Sequence, residues 1–99
     1  MNESIVSQEL FGFLKSIASE SRINMLLLFL DGQERTVNQI ARAVGLGQST
    51  TSEHLTIMKR AGLLVSTKQG KEVYYQPDRV QIIHHLESLS NILKSCCNL

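Results

Sequence analysis

Three residues, Gly45, Leu46 and Gly47, are all that separate two segments with helical periodicity, and this juxtaposition constrains the chain more than any other feature. Upstream, Thr36 and Gln39 have the spacing of a capping box, and Val37, Ile40, Ala41 and Val44 follow at i, i+3, i+4 and i+7. Downstream, a helix is predicted from about Gln48 to Ala61, with Gly62 ending it. At about 100° per residue, Thr51, Leu55 and Met58 make its inward stripe. Ser49, Glu53, Thr56 and Arg60 point away, flanked by Gln48, Ser52 and Lys59. Two helices joined by so tight a glycine-bearing turn read as a helix-turn-helix.

The flanking segments are compatible with that unit. Val6, Leu10, Phe13, Leu14 and Ile17 recur at helical spacing, and Phe11 widens the apolar face beyond what one core needs. Ile23 to Leu30 is apolar nearly all round apart from Asn24, the pattern of a central buried helix, with Gly32 placed to stop it. After Gly62, Leu63–Lys68 and Glu72–Gln76 read as two strands with Gln69, Gly70 and Lys71 in the turn. A last helix is predicted from Pro77 or Asp78, with proline in its first turn. Its Ile82, Leu86, Leu89, Leu93 and Cys96 are spaced 4, 3, 4, 3, a seam suited to a partner helix or to the monomer core. The expected fold is mainly α with a β-hairpin wing, in the order α-α-α-α-β-β-α.

Ninety-nine residues, 42% of them hydrophobic, provide for one core and one domain. The net charge of +1 conceals an uneven distribution. Residues 36–76 carry Arg42, Lys59, Arg60, Lys68 and Lys71 against only Glu53 and Glu72, whereas residues 1–35 are acidic on balance. That middle segment is where a polyanion would be attracted. The polar outward face of the second helix suits base edges, since amides and hydroxyls both donate and accept. The sequence shows no phosphate-cradling glycine loop and no nucleophile–base pattern, so no enzymatic activity is expected. MNESIVSQEL lacks the basic and apolar regions of a leader, and the longest apolar run, Met25–Leu30, is far too short to span a bilayer. A cytoplasmic protein with its two cysteines reduced is the expectation.

The stretch VNQIARAVGLGQSTTSEHLTIMKRAGLLVSTKQGKEVYYQP resembles the winged helix-turn-helix of the ArsR/SmtB repressors, where LGLSQSTVSxHLxxLxxAGLV precedes a basic hairpin and a Tyr-Tyr pair. LKSIASESRINMLLLFL is similar to the family's LKALADPTRLRILxLL, so the resemblance runs from about Phe13 to Gln76. It implies a homodimeric transcriptional repressor of double-stranded DNA. The whole chain, 1–99, would be one winged-helix domain, with dimerisation helices in 1–18 and 77–99, the helix-turn-helix in 36–62 and the wing in 63–76. Gln48, Ser49 and Ser52 would meet bases or neighbouring phosphates, with Thr51, His54 and Lys59 beside them, while Lys68 and Lys71 grip the backbone. A local hydrogen bond is an equal reading of His54. Leu10, Phe13, Ile82, Leu86, Leu89 and Leu93 would form the twofold interface, and the operator would be an inverted repeat. Gly47 departs from the family's serine, and Glu53 sets an acid near the DNA face. A winged helix that binds proteins and not DNA is the remote alternative.

No cofactor is required by this reading, and the effector is the open part. VNQIARAV holds no cysteine, which removes the family's thiolate site there. The zinc-type site on the last helix is not expected either: Asp78 is followed by Arg79 and Val80, and no histidine stands at 91–94. His84 and Glu87, one turn apart, make at most a weak ion site. Cys96 and Cys97 remain as candidates for a soft ion such as As(III) or Sb(III), for a redox or sulfur-species switch, or for incidental filler. Consecutive helical side chains diverge by about 100°, so chelation requires the helix end to unwind and a third ligand from elsewhere.

Overall fold

The computed structural model describes residues 6–97, and the side chains at 96 and 97 lie outside that description. Helix α1, Gln8–Ile17, starts where the Ser7 hydroxyl accepts from the Leu10 amide at 3.1 Å. Its Leu10, Phe13 and Ser16, spaced by threes, turn inward. Helix α2, Glu20–Leu27, is capped by Ser19 in the same way and tightens into a 3-10 turn over Leu28–Asp31. Gly32 ends it with φ 81°, the left-handed conformation in which a side chain would be strained. This segment is not the all-round buried helix expected of Ile23–Leu30. Met25 and Phe29 are buried, but Ile23, Leu27 and Leu30 face outward, Leu30 at 81% exposure. A domain of this size packs one face of such a helix, and its surplus apolar residues stay outside.

Helix α3, Val37–Val44, has the predicted capping box: the Thr36 hydroxyl accepts from the Gln39 amide at 3.3 Å and the Gln39 side chain returns the bond at 2.9 Å. Gly45, at φ 76°, closes the helix, and α4, Gln48–Arg60, follows after the short turn. Strands β2, Leu64–Gln69, and β3, Glu72–Pro77, pair antiparallel from Leu64 with Pro77 to Gln69 with Glu72, which leaves two residues in the turn. Pro77 therefore ends a strand and is not in the first turn of the last helix. Helix α5, Arg79–Cys97, is started by Asp78, whose carboxylate accepts from the Gln81 amide at 3.2 Å.

A third strand was not foreseen. Arg35 and Thr36 form β1, paired antiparallel with Tyr75 and Tyr74 of β3, giving the order β1-β3-β2. Two residues are too short to show an alternation. Arg35 anchors this edge, donating to the Leu28 carbonyl at 2.8 Å and pairing with Asp31 at 2.6 Å. The Arg35 hydrogen bond holds the Asp31 carboxyl well below the usual carboxylate range, at about 2. A depressed acid contributes stability above its unfolded pKa of about 3.9, and that contribution is lost as pH falls through about 2. Asp31→Asn is accordingly expected to melt slightly below wild type at neutral pH and low salt, with the two melting curves converging near pH 2.

One core unites these elements. Leu10, Phe13, Met25, Phe29, Ile40, Leu55, Met58, Leu63 and Leu64 form a single buried cluster, and Ile82 and Ile92 of α5 pack against it. Burying each large side chain contributes about 1.5–3 kcal/mol, so the orientation of α4 is set mainly from behind, by Leu55 and Met58. Among the described residues no helix is long and apolar enough to cross a membrane.

Candidate nucleic-acid interface

Helix α4 is seated by the stripe predicted for it: Thr51, Leu55 and Met58 are fully buried. This excludes Thr51 from any contact with DNA, because the same helical phase that exposes Ser49 turns Thr51 into the core. Its hydroxyl has no hydrogen-bond partner among the described residues. Gln48, Ser49, Ser52, Glu53, Thr56, Lys59 and Arg60 are exposed. Gly47 supplies no side-chain cap, so the first amides of α4 lack the partner that a serine would offer. Unpaired amides at a helix N-terminus favour an anion. The start of α4 therefore combines exposed amide and hydroxyl side chains with a backbone that favours an anion.

Two predicted residues already have protein partners. Lys59 Nζ donates to Ser66 Oγ at 2.7 Å, bracing α4 against β2, and the residue as a whole remains exposed. His54 is half-buried, and its Nδ1 lies 3.1 Å from Arg22 Nη1. Sequence reasoning missed Arg22. It lies 32 positions from His54, and no periodicity within one helix carries a signal across that separation. At the wing, Lys68 ends up opposite Val73 and Lys71 in the turn, both exposed. Gln69 Nε2 donates to Glu34 Oε1 at 2.8 Å, tying the wing to the segment before β1.

The interface residues divide. Leu10 and Phe13, at 3% and 0% exposure, belong to the monomer's own core and have no surface left for a partner. Ile82 packs inward as well. What stays open on α5 is Leu86 at 48%, Leu93 at 55%, Ile83 and Val80, with Leu89 half-buried, while α1 exposes Phe11. The seam is thus split between core and surface, because α5 meets its own domain along one flank of the stripe.

His84 and Glu87 are both exposed, and no group of three potential metal ligands occurs among the described residues. Asp78 is engaged as the cap of α5, its carboxylate accepting from the Gln81 amide. His85, by contrast, is buried, its ring 4.8 Å from that of Phe13. Helix α5 extends to Cys97, but the Cys96 and Cys97 side chains lie outside the described residues.

Comparison with known proteins converges on one group. The profile of the family described as "Bacterial regulatory protein, arsR family" matches residues 19–66. The cadmium resistance transcriptional regulatory protein CadC of Listeria innocua is 33% identical over 76 residues, covering 77% of this chain and 64% of CadC, so the match spans a little under two thirds of that relative. The transcriptional activator HlyU of Vibrio cholerae is 30% identical over 79 residues, covering 80% of this chain and 72% of HlyU. Among solved structures, the homodimeric winged helix-turn-helix DNA-binding domain Mb0332 of Mycobacterium bovis superposes with a TM-score of 0.70 at 28% identity. That match covers 88% of this chain and 79% of the other.

Proposed function

The chain belongs to the ArsR family of bacterial regulatory proteins, and from that premise we propose that it is a homodimeric transcriptional repressor that binds an inverted-repeat operator. The observation that carries the reading is the division of α4. Thr51, Leu55 and Met58 fix the helix from behind while Gln48, Ser49 and Ser52 stand exposed at its N-terminal end. Amide and hydroxyl groups there read base edges, and Lys68 and Lys71 of the wing neutralise phosphates. A twofold dimer presents two such helices about 34 Å apart, one turn of the duplex.

The test begins with duplexes selected by the protein from a random pool. Their consensus should be an inverted repeat, and fluorescence anisotropy should show affinity falling steeply with salt. Removing one phosphate-neutralising side chain makes the log–log salt slope shallower by about 0.9, so Lys68→Ala with Lys71→Ala should reduce it by about 4 per dimer. Specificity among selected sequences should survive that change, whereas Gln48→Ala should cost about 1–3 kcal/mol of discrimination. Binding without salt dependence, or none at all, would leave the fold as a protein-interaction module. An increase in transcription from the selected site would assign it the activating role that HlyU's name carries.

For the effector, the reading assigns release from DNA to a thiophilic ion, As(III) or Sb(III), taken by Cys96 and Cys97. Adjacent soft donors at the end of the helix that carries the open apolar stripe support this, as does similarity to a cadmium-resistance regulator. An ion that prefers a dimer with the wrong helix separation would lower DNA affinity by that difference. Arsenite should dissociate the wild-type complex and leave that of Cys96→Ser, Cys97→Ser intact. Release of the double variant by arsenite sinks the assignment, and release of wild type by oxidant alone makes the pair a redox switch.

A further inference from the structure

One side chain ties three helices together. Arg22 of α2 donates from Nε to the Ser16 carbonyl of α1 at 2.6 Å, and its Nη1 lies 3.1 Å from Nδ1 of His54 on α4. A guanidinium has five N–H donors and no lone pair to offer, so the direction of the second bond is fixed: His54 Nδ1 accepts. An imidazole that accepts at Nδ1 is neutral and carries its proton on Nε2. The Nε2–H group is then a donor, and no hydrogen bond from it occurs among the described residues.

We propose that Arg22 is a positioning residue for DNA binding: it holds the His54 ring in the Nε2–H form at the flank of α4, where that group donates to a phosphate oxygen. The inference rests on the DNA-binding reading above. At about 100° per residue His54 turns about 160° away from Ser52, onto the flank of α4 beside Thr51 and Met58; it is half-buried, and Nε2 is not among the fully enclosed unpartnered polar atoms. Phosphate oxygens are the commonest acceptors a duplex offers, and the nearby guanidinium charge favours an anion at the ring. Because the Ser16 carbonyl belongs to the last turn of α1, the same side chain also links the orientation of α1 to that of the recognition helix.

Two measurements test it. Long-range proton–nitrogen NMR of the free protein should find His54 as the Nε2–H tautomer, and Arg22→Met should return the ring to a mixture. Arg22→Lys, which keeps the charge but has one donor head for two separated acceptors, should do the same if Arg22→Met fails to fold. In anisotropy titrations on the selected duplex, Arg22→Met and His54→Phe should each weaken binding about fivefold to tenfold, the scale of one hydrogen bond, and the double variant should be no weaker than His54→Phe alone. The Nδ1–H tautomer in wild type, a ring spectrum unmoved by either Arg22 variant, or wild-type affinity in His54→Phe would overturn the proposal. Wild type that binds no duplex overturns the underlying reading, and the ring spectrum, which needs no DNA, separates that failure from an error about Arg22.

Discussion

Aspartate at both Leu86 and Leu93 is expected to give a folded monomer whose affinity for the operator falls about 10²–10⁴-fold, the gain that linking two sites supplies. Both side chains stand on the open side of α5, at 48% and 55% exposure, so neither substitution places a charge in the monomer core. Far-ultraviolet circular dichroism should be unchanged, sedimentation should report one chain, and anisotropy should report the weakened complex. A dimer that persists in this variant would remove α5 from the interface. Leu10 and Phe13 would give no such separation of effects, because they are part of the core that holds α1, α2 and α4 together.

Phe13→Ala is the change expected to damage the protein most. Phe13 is fully buried, belongs to the central cluster and stacks at 4.8 Å on the buried His85 ring of α5. Removing a buried aromatic side chain costs about 3–5 kcal/mol through lost transfer energy and the cavity left behind. A domain of this size has a total stability of about 5–15 kcal/mol. At about 4–8 °C for each kcal/mol, the melting temperature should drop by at least about 12 °C. The cavity would also remove the Phe13 ring from beside His85, which loosens α5 at the place where it meets α1. Chemical denaturation should show the loss as a lower midpoint with an unchanged slope. If Phe13→Ala melts within a few degrees of wild type, the core does not depend on α1 as described.

The helix-turn-helix was legible because its signals are local. The Thr36–Gln39 box, the glycine after Val44 and the stripe Thr51, Leu55, Met58 each depend on residues within one or two turns, and each is present. The wing was legible from two apolar runs around Gly70, although its turn is one residue shorter than expected. Other features lay beyond local reading. Strand β1 exists only because β3 comes to lie beside Arg35 and Thr36, and Ile23–Leu30 has a composition that suits burial on every side. The assignment of Thr51 to DNA came with its neighbours in the motif, although its helical phase pointed inward from the start.

The sequence by itself determined the order of the five helices and the two wing strands, the ends of α3 and α4, and which residues of α4 face away from the core. Capping and helical phase are properties of adjacent residues and need no knowledge of what lies across the fold. Only the tertiary structure decided that Leu10, Phe13 and Ile82 serve the monomer while Leu86 and Leu93 stay open. It alone set Arg22 against His54 across 32 positions. A seam of apolar residues states that something will be buried. What buries it depends on where the rest of the chain has gone, because the hydrophobic effect is non-directional and rewards whichever surface arrives first.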